Sequence, residues 1–302
     1  MLSGTALLLR HAPAGVLHAW QANSADGARA QIGATPIETL KLTDRLKMLS
    51  GPGGNVIVFH GPDGKVIVDG FVKTAWPKLK VALAAIDESP LKWMIDTHWH
   101  FDHADNNGNL RAEGATVVAH DNTRKRLMET HEVLGMQFPP VASGELPTKT
   151  FPVSLTLNLN GEQVALQHVP PAHTDTDILV HFPKADVLHM GDLFFNGIYP
   201  FIDAGTGGNI DGMIAAAGTA LKMVTARTKI VPGHGPLATR GSLEAYRAML
   251  SAMRDRIAAE KKAGKTLAEV KAAKPSASFD AAWGKGFMAP DDFVALVYST
   301  LR

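Results

Sequence analysis

One stretch, "THWHFDHADNN" from Thr97 to Asn107, constrains this chain more than any other, because it sets three imidazoles and two carboxylates within the eight residues His98 to Asp105. His98 and His100 are two apart on a segment that leaves a strand, so their side chains point the same way and can share one ion. Asp102 and His103 follow at a tight turn into the next helix. Adjacent residues diverge there, so this pair reaches a second point in space, and the motif serves two metals more naturally than one. The 302 residues contain no cysteine. Disulfides, thiolate nucleophiles and thiolate ligands are therefore excluded, and a transition metal must be held by imidazole and carboxylate.

The apolar run "LKWMID" ahead of the motif reads as a buried strand, which places Thr97 where that strand ends. Upstream, "NVIVFH" (Asn55 to His60) and "KVIVDG" (Lys65 to Gly70) flank "GPDG" as a hairpin, and a helix follows at about Thr74 to Ile86. Downstream, "NNGNLRAEG" predicts a short helix closed by Gly114, "ATVVAH" a strand, and "NTRKRLMETHEVLG" a helix capped by Asn122. Alternation on both sides of Asn160-Gly161 predicts a hairpin over Ser154 to Val169, and "DILVHF" and "DVLHMGD" form a further strand pair. A helix spans about Asp211 to Thr225, and "TKIVPGHG" is a strand ending at the glycine-flanked His234. Strands thus come in two successive groups, each mixing hairpins with helices. That arrangement predicts an α/β fold in which two sheets pack together with helices outside.

Residues 1–38 are rich in Ala and Gly without a sustained period and are read as an N-terminal extension. The patch Ala6 to Leu9 and the "ARA" at Ala28 to Ala30 have the outline of a remnant export signal, although Arg10 interrupts the patch and no cationic segment precedes it. Residues 39–241 form the main domain, and 242–302, with apolar residues at helical spacing, a helical C-terminal extension packed on it. A net charge of +1 gives no basic surface for nucleic acid, and no apolar run approaches the roughly 18 residues of a membrane helix. The expected partner is a small molecule, in either periplasm or cytoplasm.

Each metal needs further ligands. His173 in "PPAHTDTD", Asp192 in "HMGD" and His234 in "VPGHG" lie at strand ends or in the loops that follow, where function concentrates. Glycines beside Asp192 and His234 let the backbone approach a crowded centre closely. Together with these three residues, "HWHFDH" resembles the HxHxDH motif and later ligands of the metallo-β-lactamase superfamily, over roughly residues 40 to 240. The resemblance implies an αβ/βα sandwich of two mixed sheets flanked by helices, and two zinc ions per chain. One zinc would be held by His98, His100 and His173, the other by Asp102, His103 and His234, with Asp192 bridging them. Aspartate at the bridge, typical of glyoxalase II-like thioesterases and lactonases, points away from a dedicated β-lactamase, which carries cysteine or serine there. Family members often have glycines where this chain has Asp105 and Asn106.

The implied function is a dinuclear zinc hydrolase that attacks a small-molecule ester, thioester, lactone or β-lactam with a metal-bridging hydroxide. Two zinc ions bring four positive charges; Asp102 and Asp192, the residues given catalytic roles, remove two, and the hydroxide a third. The one remaining positive charge suits a transition state that gains one negative charge. Asp69 and Asn107 are expected to support the ligands from outside, fixing imidazole tautomers. Phe194, Phe195, Asn196 and Tyr199, just past the bridge, are expected to line the substrate. Eight further histidines, His11, His18, His60, His120, His131, His168, His181 and His189, read as surface or core residues. The rival readings are an iron redox protein of the same fold, whose diiron members usually carry glutamate where this chain has His100, and a metal-binding protein without catalysis, expected to have lost ligands.

Overall fold

The β-branched run Gly54–Phe59 (β3) is buried along nearly its whole length, so it must lie in a sheet covered on both faces. In the computed structural model, which describes residues 24–301, β3 is an interior strand, third in a seven-stranded sheet. Its neighbours on one side are β1 (Glu38–Lys41) and β2 (Leu46–Gly51), and on the other β4 (Lys65–Val68), β5 (Leu91–Ile95), β6 (Thr116–His120) and β9 (Lys149–Phe151). The first four pair antiparallel, and the pairs from β4 to β9 are parallel. A second, five-stranded sheet runs in sequence order through β10 (Ser154–Leu159), β11 (Glu162–His168), β12 (Ile178–Phe182), β13 (Val187–His189) and β14 (Lys229–Val231). Only its last pair is parallel.

Three apolar clusters define the layers. One joins the facing sides of the sheets, drawing Ile57, Val66 and Ile95 from the first and Leu166, Val180 and Val231 from the second. There the rings of Phe59 and Phe182 meet edge to face at 5.6 Å. The outer face of the first sheet is covered by α1 (Ala25–Gly33), α2 (Trp76–Ile86) and α4 (Asn107–Ala112). The outer face of the second is covered by α6 (Ile210–Met223) and four C-terminal helices, α7 (Arg240–Lys262), α8 (Leu267–Ala272), α9 (Asp280–Trp283) and α10 (Pro290–Thr300). The result is an αβ/βα sandwich. In α7 the buried residues Leu243, Tyr246, Leu250, Met253 and Ile257 recur every three or four positions, as one face of a helix requires. Each large apolar side chain buried in this way contributes about 1.5–3 kcal/mol relative to exposure.

Two segments differ from the sequence expectation. The stretch after Ser24, read as an extension without a sustained period, contains a docked helix: the Ser24 hydroxyl caps α1 by accepting from Gly27 N, and Ala28 and Ile32 are buried on the first sheet's helical layer. Lys78 Nζ then donates to the carbonyls of Gly33, Ala34 and Thr35 at the far end of α1, at 2.9, 2.7 and 3.2 Å. The helix expected to continue to Gly135 stops early. It is α5 (Asp121–Leu127), capped by His120, whose Nδ1 accepts from Asn122 N. Leu134 and Gly135 take left-handed φ of 52° and 77°, which turns the chain tightly between β7 (His131–Val133) and β8 (Met136–Phe138). Ala6 to Leu9, Arg10, His11 and His18 lie outside the described residues, and Ala28 to Ala30 belong to α1. Among the described residues, no helix is long and apolar enough to cross a membrane.

Candidate metal centre

The residues singled out in the sequence converge at one end of the sandwich, each just beyond a strand. His98 and His100 follow β5, and His100 precedes the single turn α3 (Phe101–Ala104) that carries Asp102 and His103. His173 lies between β11 and β12, Asp192 in a tight turn after β13, and His234 after β14. Backbone hydrogen bonds from Ile178 N to Thr97 O (2.9 Å) and from Asn55 N to Gly233 O (2.8 Å) tie the two sheets together at this end.

Two groups form. In the first, His100 Nδ1 lies 3.2 Å from His98 Nε2 and 2.9 Å from His173 Nε2. In the second, Asp102 Oδ2 lies 3.6 Å from His103 Nε2 and 3.4 Å from His234 Nε2. Asp192 reaches both: Oδ2 is 3.5 Å from His173 Nε2 and 3.4 Å from His234 Nε2, while Oδ1 is 3.2 Å from His103 Nε2. The donor atoms of each group lie within 4.8 Å of one another, and all seven residues are buried.

The outward-facing nitrogens explain why these particular atoms point inward. His173 Nδ1 is 2.9 Å from the Phe201 carbonyl, which can only accept, so the hydrogen sits on Nδ1 and the lone pair on Nε2. His103 Nδ1 faces Asp69 Oδ2 at 2.8 Å and His100 Nε2 faces Asp203 Oδ2 at 3.2 Å, with the same consequence. The Thr97 hydroxyl donates to Asp69 Oδ2 at 2.9 Å and therefore accepts from His98 Nδ1 at 3.1 Å. Four imidazoles thus turn their second nitrogen toward the interior, His103 offering its lone pair once a cation displaces the proton there. Beside them, Asp102 Oδ2, Asp192 Oδ1 and His103 Nε2 are buried and make no hydrogen bond among the described residues. Leaving such atoms unsatisfied costs about 1–3 kcal/mol each. A divalent cation in each group would satisfy them, and a donor set of imidazole and carboxylate suits zinc.

Electrostatics separate the groups. Burial lowers His98, and lowers His173 to about 4, despite the nearby Asp192. Burial also acts on His103 and His234, but carboxylates outweigh it: Asp192 and Asp69 raise His103, and Asp192 and Asp102 hold His234 at about 9. Burial alone would raise Asp203, yet its hydrogen bonds with His100 and Thr206 bring it to about 2.

Other expectations resolve residue by residue. Asp69 meets His103 and Thr97, as described above. Asn107 does not meet a ligand: its Nδ2 donates to Asp96 Oδ2 at 2.9 Å, one layer farther out. Phe195 stacks on His234, with ring centroids 5.1 Å apart and 7° between planes. Phe194 and Tyr199 do not line the site. Phe194 packs on Tyr246 at 4.9 Å, and Tyr199 stacks on Phe293 at 4.6 Å while its hydroxyl donates to Asp280, so both belong to the core under the C-terminal helices. Asn196 donates from its side chain to Pro236 O and from its backbone to His234 O, which fastens the His234 loop. Asp203 had no sequence signal beyond a turn-rich "DAGTGG". Phe201 and Phe287 lie in loops that carry no sequence mark of a site.

The pair Asp105-Asn106 also finds its place. Asp105 accepts from Arg29 Nε (2.6 Å) and Nη2 (2.9 Å), which joins α3 to α1. Asn106 Nδ2 donates to Gly70 O (2.7 Å) and Val72 O (3.0 Å). It thereby holds the bend in which Asp69 and Phe71 take left-handed φ of 64° and 62°, and from which Asp69 reaches His103. On the far side of the centre, Gly233 is required by close approach, since a Cβ there would collide with Asp192 Oδ1.

A family model described as the metallo-β-lactamase superfamily matches residues 49–255, more than half of the chain and every residue of both groups. The chain belongs to the metallo-β-lactamase superfamily. Solved structures agree on the fold. The DIM-1 metallo-β-lactamase shares 18% identity with a TM-score of 0.59, covering 72% of this chain and 97% of its own. A metallo-β-lactamase from Pontibacter korlensis shares 18% identity with a TM-score of 0.58, covering 71% and 99%. The stereoselective inverting sec-alkylsulfatase Pisa1 from Pseudomonas sp. shares 14% identity with a TM-score of 0.61, covering 94% of this chain and 54% of its own. That share of this superfamily member cannot be reached without the C-terminal helices. A search of curated proteins returns no match.

Proposed function

We propose that this superfamily member is a dinuclear, zinc-dependent hydrolase of a small-molecule ester, thioester, lactone or β-lactam. The observation that carries the reading is the convergence of seven buried donors in two groups that share Asp192. His98, His100 and His173 would hold one ion, and Asp102, His103 and His234 the other. Bound there, zinc supplies a Lewis acid for the substrate oxygen and lowers the pKa of water to about 7. The chain's own part is to orient. Asp69, Thr97, Asp203 and the Phe201 carbonyl hold the imidazoles in the tautomers that present lone pairs inward, and Asp192 sets the spacing of the groups. Asp102 and Asp192 offset part of the metal charge, leaving the excess that a developing oxyanion needs.

A second reading, hydrolysis of a sulfate ester, is favoured by the alkylsulfatase match that extends through the C-terminal helices. Metal analysis of zinc-loaded protein, with a panel of p-nitrophenyl esters, S-lactoylglutathione, an acyl-homoserine lactone, nitrocefin and octyl sulfate, tests both. The expected result is about two zinc ions per chain, as the two donor groups require, and turnover of a carbonyl substrate that His98→Ala abolishes. Turnover of octyl sulfate alone selects the second reading. Less than one zinc per chain, or turnover that His98→Ala leaves intact, overturns the proposal, and iron with a visible charge-transfer band points to the redox rival.

A further inference from the structure

Beside the Trp99 indole, which packs on His100 at 4.7 Å and donates to the Thr206 hydroxyl, the carbon rings that border the two ligand groups are those of phenylalanines. At the first group, the Phe201 ring lies 5.9 Å from those of His100 and His173. At the second, Phe287 lies 6.1 Å from both His234 and Phe195. Phe195 is fully buried beneath His234, whereas Phe201 and Phe287 are half-buried. Leu134, at the tip of the β7–β8 hairpin, and Phe201 each pack against both outer cores. The arginines on either side of the HxHxDH segment are committed elsewhere, Arg29 to Asp105 and Arg126 to Asp175.

Phe287 lies beyond the residues matched by the superfamily model, in the loop between α9 and α10. That loop is closely fitted. Tyr199 N donates to Trp283 O at 2.9 Å, and a Cβ built on Gly286 would stand 2.6 Å from the Cβ of Ile198. A branched carbon so close to the backbone cannot swing away, so the position of Phe287 is set by the 195–199 segment, whose Phe195 also makes the stack on His234.

We propose that Phe201 and Phe287 form an apolar clamp over the metal centre. The substrate group beside the scissile bond is then a hydrocarbon, alkyl or aryl, and Phe287 is a specificity-determining residue supplied by the C-terminal region. The inference rests on the hydrolytic reading above for the location of the scissile bond. Its test separates the two. Calorimetry of the zinc-loaded full chain with acetate, butyrate, hexanoate and octanoate measures the clamp without turnover, and kcat/KM for the corresponding p-nitrophenyl esters measures it with turnover. Burial of each added methylene predicts affinity rising about two- to fourfold per carbon. Phe287→Ala and Phe201→Ala should each cut the octanoate-to-acetate ratio by about tenfold, as loss of a pocket wall does. Phe287→Leu, which keeps an apolar side chain and guards against misfolding, should retain most of it. Gly286→Val, which displaces the loop, should resemble Phe287→Ala. Flat affinity from acetate to octanoate overturns the clamp, as do unchanged ratios in both alanine variants. Affinity that rises with chain length in a protein that cleaves none of the esters supports the clamp and counts against the hydrolase.

Discussion

The two ligand groups share Asp192, yet they favour different charge states. The first is three imidazoles whose outer nitrogens are tied to a backbone carbonyl, a hydroxyl and Asp203. Burial wins there at His98 and His173, and His173 stays neutral down to about pH 4. The second mixes imidazole with carboxylate, and the acids win, so His234 holds a positive charge up to about pH 9. Ordering neutral lone pairs makes a site that waits for a cation. Placing acids beside imidazoles makes one that draws positive charge in any form, proton or metal.

The comparison is broken most severely at the residue both groups share. Asp192→Asn should lower kcat/KM by more than about 100-fold, beyond the usual range for supporting residues, and bound metal should fall in both groups by elemental analysis. Gly233→Ala should do the same with the ligands intact, and two metals with near-parental activity in either variant would contradict the shared role. Next come the supports. Asp203→Asn and Asp69→Asn should each weaken metal binding about 10–100-fold, the first in the His98 group and the second in the His103 group. Chelator competition would resolve which of two affinities moves, and the same one moving in both variants would count against the pairing.

A pH titration sharpens the contrast further. A metal ion in the second group competes with the proton that Asp192 and Asp102 hold on His234. Because His103 is raised together with His234, affinity there should climb by at least about tenfold per pH unit from pH 6 toward 9. In the first group burial lowers His98, and the proton on His173 is already lost above about pH 4, so that curve should be the shallower of the two over the same range. Two parallel curves would remove the distinction. The smallest effect on the centre is expected at its outer tie. Arg29→Met strands the buried Asp105 carboxylate and should cost about 1–3 kcal/mol in denaturant unfolding, with metal content unchanged. Adding Asp105→Asn should restore part of the loss, because a neutral amide is cheaper to bury than a lone charge.

How far the sequence carried these features depended on whether a residue's role is local. His98, His100, Asp102 and His103 are legible because their spacing along a strand end and one helical turn creates the geometry. The hairpins at "GPDG" and Asn160-Gly161 are legible for the same reason, since turn residues act on their immediate neighbours. Asp203 was hidden because it meets His100 across 103 residues, in a loop whose turn-forming composition masks the carboxylate. Tyr199 misled because an aromatic downstream of Asp192 has no local mark of the direction it faces. Its ring was drawn to Phe293, on a helix nearly a hundred residues away. The helix expected over 122–135 failed because Leu127 and Leu134 share a helical period, while the left-handed pair Leu134-Gly135 bends the backbone out of it.

The collision that a side chain at Gly233 would meet also bears on how a gene for this centre could decay. Any change in the first or second base of a glycine codon that leaves a sense codon adds a side chain, and any side chain at this position competes with Asp192 for the same space. A lineage could therefore lose the centre while every histidine and aspartate of both groups stays readable in its DNA. The mutational target of the site includes a residue that donates nothing, and motif matching over the ligands alone would count such a silenced copy as intact.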